Sequence, residues 1–175
     1  GPTCWEGLYS LLDVERTTPR VVRASHRGVR RPNIVVINAD DQAPHMANVM
    51  TAVLGDIAAR GVIFENSFVP SPVCAPSRAS FLSGNHAHTH GVLKVAGANG
   101  GAQTFVGPDQ ETIAVWLQRA GYRTGHFGKY INPYNPLCDT ASCYVPPGWD
   151  VWRAFEVDHY YDYMLSEDGP KVPYG

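Results

Sequence analysis

The stretch Asn33-Ile34-Val35-Val36-Ile37-Asn38, closed by Ala39-Asp40-Asp41, decides how this chain is read. Four consecutive β-branched residues between asparagines predict a short strand buried on both faces, as in parallel sheets. After it, Met46, Val49, Met50, Val53, Leu54 and Ile57 recur at helical spacing, and Gly61 stands where a helix needs its C-terminal stop. Val62-Ile63-Phe64 through Phe68 predicts a second strand, broken by Pro70-Ser71-Pro72. Strand, helix and strand in succession predict an α/β fold, a mostly parallel sheet flanked by helices. Ligands of such sheets gather beyond the carboxyl ends of the strands, which is where Asp40 and Asp41 emerge.

Downstream, Cys74-Ala75-Pro76-Ser77-Arg78 is followed by Leu82-Ser83-Gly84. Pro76 suits a first helical turn and Gly84 a stop about two turns later. Residues 86–108 are rich in Gly, Asn and His without a period and read as loop. Asp109 is placed to cap a helix whose Ile113, Trp116, Leu117 and Ala120 share a face and which Gly121 ends. Residues 122–127 then form a short strand that delivers Lys129 to the same sheet edge as the two aspartates. Asn132-Pro133-Tyr134-Asn135-Pro136 and Val145-Pro146-Pro147-Gly148-Trp149 are turns with aromatic anchors, and residues 155–165 have room for two short strands. No linker divides residues 32–175, and residues 1–31 read as an extended, arginine-rich arm.

Composition narrows the function classes. At 175 residues, with 44% hydrophobic and 17% charged side chains, the chain is long and apolar enough for one domain with a core. No apolar run approaches the length of a transmembrane segment, and residues 1–12 lack the pattern of a secretory signal. No Asn-x-Ser/Thr acceptor occurs. Net charge is -2, yet Arg16, Arg20, Arg23, Arg27, Arg30 and Arg31 hold six of the 14 basic residues. From Pro32 onward 8 basic residues face 13 acidic ones, so nucleic acid is not the expected partner. The arm itself is open to two readings, a polyanion contact or a solvated leader. The four cysteines include no Cys-x-x-Cys, which leaves no zinc motif. Cys138 and Cys143 bracket a short proline-bounded loop, as a disulfide formed in an oxidising compartment or as two unrelated thiols.

Asp40 and Asp41, adjacent at a strand end, suit one hard cation, calcium or magnesium, or else a solvated turn. Cys74 is open to three readings. As a structural thiol it would be buried. As a thiolate beside Arg78 it would resemble a phosphatase nucleophile, but the three-residue gap to the arginine is too short for that pattern. The third reading rests on a family resemblance. Arg78 and Lys129 are either surface charges or oxyanion donors. His86, His88 and His90 alternate; His86 and His90 would share a helical face for a transition metal, whereas Gly84 and Gly91 argue for loop.

Cys74-x-Pro76-Ser77-Arg78 with Leu82-Ser83-Gly84 resembles the signature of the type I sulfatases, of alkaline-phosphatase-like fold. The resemblance runs over about residues 32–152, through Arg31-Pro32-Asn33-Ile34, Ala39-Asp40-Asp41, His90-Gly91-Val92, Ala120-Gly121-Tyr122-Arg123-Thr124 and Gly128-Lys129. It implies that a formylglycine-generating enzyme, reading Cys74, Pro76, Ser77 and Arg78, converts Cys74 to Cα-formylglycine. Hydrated, that residue would attack sulfur with one hydroxyl, and its second would lose a proton to eject sulfate. The resemblance further implies catalytic roles for Cys74, Arg78 and Lys129, and a Ca2+ or Mg2+ site at Asp40, Asp41 and the modified residue 74. Gly128-Lys129-Tyr130-Ile131-Asn132 lacks the histidine that often follows the lysine. Asn132 would replace its hydrogen bond but not its proton transfer, and Asn132 and His90 are the expected substrate contacts.

The same departure, with Val145-Pro146-Pro147-Gly148-Trp149, resembles the glucosamine-6-sulfatase and heparan endosulfatase branch. It implies a sulfated amino sugar or glycosaminoglycan as substrate and a secreted, periplasmic or lysosome-like compartment. Such enzymes run to several hundred residues, so an incomplete domain is expected, with a companion chain as one source of the remainder. Two alternatives stand beside the sulfatase: a phosphonate or phosphate monoester hydrolase of the same superfamily, and a truncated, non-catalytic binder of sulfated glycans.

Overall fold

The computed structural model describes residues 31–43, 49–64, 66–157 and 159–175. It comprises two compact units, residues 1–38 and 39–175. The arm expected over residues 1–31 lies, but for Arg31, outside the described residues.

In the first unit, residues 31–38 are extended but unpaired, and Ile34 through Ile37 are 52–81% exposed. The expected strand is therefore absent there. A run apolar on both sides is stable as a strand only with ladder partners and a layer on each face, and among the described residues none covers it. Residues 62–64 and 66–69 of the second unit are likewise exposed and unpaired in place of the second expected strand. Of the helix expected between them, Met46 lies outside the described residues, and the described part includes a π-helical turn at Val53–Ile57 and a 3-10 turn at Ala58–Arg60. Its apolar positions Val49, Val53, Leu54 and Ile57 face solvent.

The second unit holds the core. α1 (Cys74–Ser83) buries Ala75, Ala79 and Ser83 on one side with Pro76 and Ser80 beside them, small side chains that allow close approach. Gly84 ends it in the left-handed conformation at φ 69, as expected of a C-terminal glycine. The loop expected over residues 86–108 contains two short helices, α2 (Ala87–His90) and α3 (Gly101–Phe105). Both are held by tertiary contacts that local sequence does not announce. Gly101 in particular has φ 66, and a Cβ there would lie 2.8 Å from Pro133 Cδ and from the Val95 carbonyl oxygen.

α4 (Ile113–Arg119) is capped by Thr112, whose hydroxyl accepts from the Val115 N–H, and not by Asp109. Asp109 is buried, accepting from the Gly107 N–H at 3.0 Å and the Tyr144 hydroxyl at 2.7 Å. β1 (Gly125–Gly128) pairs in parallel with β2 (Val151–Phe155); β3 (Tyr163–Glu167) and β4 (Lys171–Tyr174) extend the sheet antiparallel, in the order β1-β2-β3-β4. The described sheet is thus mixed, with its parallel pair on the side nearest the site.

Trp152 of β2 is fully buried at the centre of a ring cluster, 4.6 Å from His126, 5.0 Å from Tyr130 and 5.9 Å from Tyr134. Its indole N–H donates to the Tyr134 hydroxyl, which in turn donates to the Tyr144 carbonyl. Satisfying the one polar atom of a buried tryptophan in this way fixes its orientation. The Cys138 and Cys143 sulfurs are bonded at 2.02 Å. This loop is tied to the β3–β4 hairpin by the Cys143 N–H to Gly169 and the Lys171 N–H to Ala141.

Candidate functional site

Cys74 is the first residue of α1, and the residue before it, Val73, is extended and has no side-chain acceptor to cap the helix. The first N–H groups of α1 are therefore left for other acceptors, an arrangement that favours an anion. Four residues on, Arg78 shares the helix face of Cys74. Its side chain is 12% exposed and reaches two acceptors with one fork, donating from Nη1 to the Lys129 carbonyl at 2.6 Å and from Nη2 to Asp40 Oδ1 at 3.1 Å. Lys129, at the carboxyl end of β1, donates from Nζ to Asp40 Oδ2 at 2.8 Å. Asp40 thus sits between two cations, and the Lys129 hydrogen bond, followed by that of Arg78, holds its carboxyl below the usual carboxylate range.

These contacts unite Asp40, Arg78 and Lys129, residues far apart in sequence. Asp41 is exposed, with φ 53, and does not join them. Among the described residues, no group of three or more His, Cys, Asp or Glu side chains is placed to hold a metal ion, so Asp40, Asp41 and Cys74 do not form a closed ligand set. The donor types fit a hard cation in kind, being carboxylates. They fall short in number, because calcium takes six to eight oxygens. Cys74 as encoded offers sulfur, a poor match for calcium or magnesium.

Asn132 meets Cys74 directly. Its Nδ2 donates to Cys74 Sγ at 3.2 Å, while its Oδ1 is buried without a hydrogen-bond partner among the described residues. An oxygen at the same place on residue 74 would receive the same donor. Asn132 and Pro133 also line a groove of about 300 Å³ with Val95, Ala96, Tyr134 and Glu156.

His90, expected to contact substrate, does not face this space. It is 2% exposed; its Nδ1 accepts from the Val92 N–H at 3.1 Å, which leaves the proton on Nε2 to donate to Ser80 Oγ at 3.0 Å. It pins α2 to α1, and burial lowers its pKa. His86, which precedes α2, and His88 within it stack at 5.7 Å, and no metal group forms with His90. Sequence reasoning passed over His126, whose Nε2 is buried and unpartnered inside the ring cluster and whose pKa burial lowers to about 4. It also passed over Thr124 and Asp150. Asp150 Oδ2 accepts from the Thr124 N–H at 2.8 Å, and the Val151 N–H donates to the Thr124 carbonyl at 3.0 Å, setting the β1–β2 register. The motif neighbours Arg123-Thr124 and Gly148-Trp149-Asp150 were the available signal.

Residues 32–171 match the family model described as Sulfatase. This chain belongs to the sulfatase family. It is 35% identical over 149 residues to the extracellular sulfatase SULF-1 homolog of Drosophila melanogaster, covering 83% of this chain and 13% of that protein. To the putative extracellular sulfatase Sulf-1 homolog of Caenorhabditis elegans it is 30% identical over 171 residues, 96% of this chain and 22% of the relative. To human N-acetylglucosamine-6-sulfatase it is 32% identical over 157 residues, 85% and 28% of the two chains. This sulfatase chain spans less than a third of the length of these relatives. No solved structure matches it. The family's alkaline-phosphatase-like α/β fold accounts for α1 and β1 delivering Cys74, Arg78 and Lys129 to one edge.

Proposed function

We propose that this chain carries the nucleophile side of a sulfuric ester hydrolase site, in which Cys74 is converted to formylglycine and the substrate is a sulfated amino sugar or glycosaminoglycan. The observation that carries the reading is the convergence of Arg78 and Lys129 on one carboxylate, with Cys74 one helical turn away, in a chain of the sulfatase family. A sulfate ester presents oxygens to both cations much as the Asp40 carboxylate does. Arg78, fixed by the Lys129 carbonyl, would hold such an oxygen in a set direction, and Lys129 would balance charge as the ester bond breaks.

Formylglycine, once present, supplies an oxygen nucleophile where the gene encodes sulfur. Asp40 and Asp41 would furnish part of a Ca2+ or Mg2+ shell, the cation supplying further charge neutralisation at the sulfate. The remaining oxygens would come from residues beyond this set, on the same polypeptide or a companion chain. Pro76 is fully buried, so a formylglycine-generating enzyme would reach the Cys74-Ala75-Pro76-Ser77-Arg78 motif in an unfolded chain. The Cys138–Cys143 bond supports passage through an oxidising compartment, in keeping with a secreted, periplasmic or lysosome-like protein.

Mass spectrometry of the peptide containing residue 74, paired with hydrolysis assays on matched sulfate and phosphate esters, tests the proposal. A thiol at position 74 in natively produced protein, or a preference for the phosphate ester in kcat/KM, would overturn it.

A further inference from the structure

We propose that Asn132 is a positioning residue for the group at position 74, its carboxamide favouring the hydrated geminal diol of formylglycine over the free aldehyde. The inference rests on the reading of residue 74 given above. Two ends of one planar amide are in unlike states: Nδ2 donates to Cys74 Sγ at 3.2 Å, whereas Oδ1 is out of solvent and unpartnered among the described residues. A buried acceptor without a donor is destabilising, and the encoded side chain relieves it poorly, since a thiol is a weak donor. A free aldehyde does no better. It offers one acceptor oxygen to Nδ2 and no O–H to Oδ1.

The diol satisfies both. Its two hydroxyls sit on one carbon, as the amide oxygen and nitrogen do, so the groups meet edge to edge. Nδ2–H donates to one diol oxygen and the other hydroxyl donates to Oδ1. Hydration is balanced without any further reactant: the oxygen of water bonds to the carbonyl carbon, the C=O π bond breaks, and a proton from the water ends on the former carbonyl oxygen. An imidazole at position 132 would present a single nitrogen toward residue 74 and match only one of the two hydroxyls.

The segment bearing the amide is also held in place. Ile131 is fully buried and Tyr130 is 4% exposed. The Pro133 carbonyl accepts from the Ala102 N–H at 3.4 Å, and the Pro133 ring packs where Gly101 has no side chain. The carboxamide is thus aimed by core packing and does not depend on a mobile loop.

The test uses the full chain with 13C at the residue-74 side-chain carbon, introduced as labelled cysteine and matured in the producing cell. NMR resolves thiol, aldehyde and diol carbons. The wild type should show mainly diol. Asn132→Leu, of similar size without polar atoms, should lower the diol-to-aldehyde ratio on the order of tenfold, through the loss of the one hydrogen bond, to Oδ1, that the diol makes and the aldehyde does not. Asn132→Asp, whose two oxygens accept from both diol hydroxyls and find no donor on an aldehyde, should hold the ratio at or above the wild-type value. In Asn132→Leu kcat should drop with little change in KM, a split that a general loss of folding would not produce. An Asn132→Leu ratio equal to that of the wild type, in a variant shown by its melting temperature to fold, or an Asn132→Asp ratio well below the wild type's, would overturn the proposal. A thiol carbon alone in the wild type would instead overturn the reading of residue 74, and this inference with it.

Discussion

His126 offers a quantitative test of the fold. It lies on β1 against Trp152 at 4.6 Å, Trp149 at 5.3 Å and Tyr130 at 5.7 Å, and burial, aided by the charge of Arg78, lowers its pKa from 6.5 to about 4. In the unfolded chain the same imidazole titrates at its ordinary value. Between those two values the unfolded state binds a proton that the native state refuses, so acidification favours unfolding. The stabilisation is complete above about pH 6.5 and is lost as the pH falls toward 4. At about 1.36 kcal/mol per pH unit the full difference is somewhat over 3 kcal/mol. Because the residue as a whole is only half-buried, about 2 kcal/mol is the working figure.

His90 adds to the same slope, since burial lowers its pKa too. Asp40, Asp150 and Asp168 are all lowered from 3.8, by hydrogen bonds first from Lys129, the Thr124 N–H and Arg153 respectively, and lose their stabilisation only at more acid pH. Glu111, lowered from 4.5 by hydrogen bonds from Trp116 and Arg119, adds slope at the acid edge of the range in wild type and variant alike. Urea midpoints measured between about pH 4.5 and 7.5 on the wild type and on His126→Phe would isolate the effect. Phenylalanine keeps a ring among the aromatics and cannot take a proton, so the variant should lose the His126 share of the slope and retain those of His90 and Glu111. A variant slope equal to that of the wild type would refute the assignment.

Arg78→Lys removes the fork that joins the Lys129 carbonyl to Asp40, and on the proposed function turnover should fall on the order of 10²-fold in a steady-state sulfate-ester assay while the protein stays folded. Gly101→Ala combines a strained φ of 66 with a Cβ 2.8 Å from Pro133 Cδ; a loss of about 1–2 kcal/mol should appear as a lower melting temperature, and turnover should fall with it because Pro133 follows Asn132. Replacing Cys138 and Cys143 by serine should cost roughly 2 kcal/mol, with faster amide exchange concentrated in β3 and β4 and little change at Cys74.

α1 was legible because its signals are local: Pro76 in the first turn and Gly84 at the end need no tertiary information. The strand expected at Ile34-Val35-Val36-Ile37 depends on partners, and an apolar run says only that it wants cover, not that cover is present. Asp109 looked like a helix cap because caps are judged from the next few residues, whereas Tyr144, 35 positions away, claims one of its oxygens. His90 was expected to contact substrate, but Ser80 and Phe105 claim it once α1, α2 and α3 have packed, which its sequence neighbours do not announce. The chemistry of Asp40, Arg78 and Lys129 was visible residue by residue. Their mutual ion pairs were not, because 38 residues separate Asp40 from Arg78 and 51 separate Arg78 from Lys129.

α1 carries both Cys74 and Arg78 on one continuous set of backbone hydrogen bonds, and this sets what drift the gene tolerates. Each residue turns a helix by about 100°, so four steps bring Arg78 round to within about 40° of Cys74. Letters between them are replaceable where size permits, but a single insertion or deletion would swing the guanidinium away from Asp40 by more than any rotamer recovers. Between Gly84 and Lys129 only the exposed turns joining α2, α3, α4 and β1 have no such phase to keep, so length variation among descendants of this gene should collect in those turns and spare the four-residue interval.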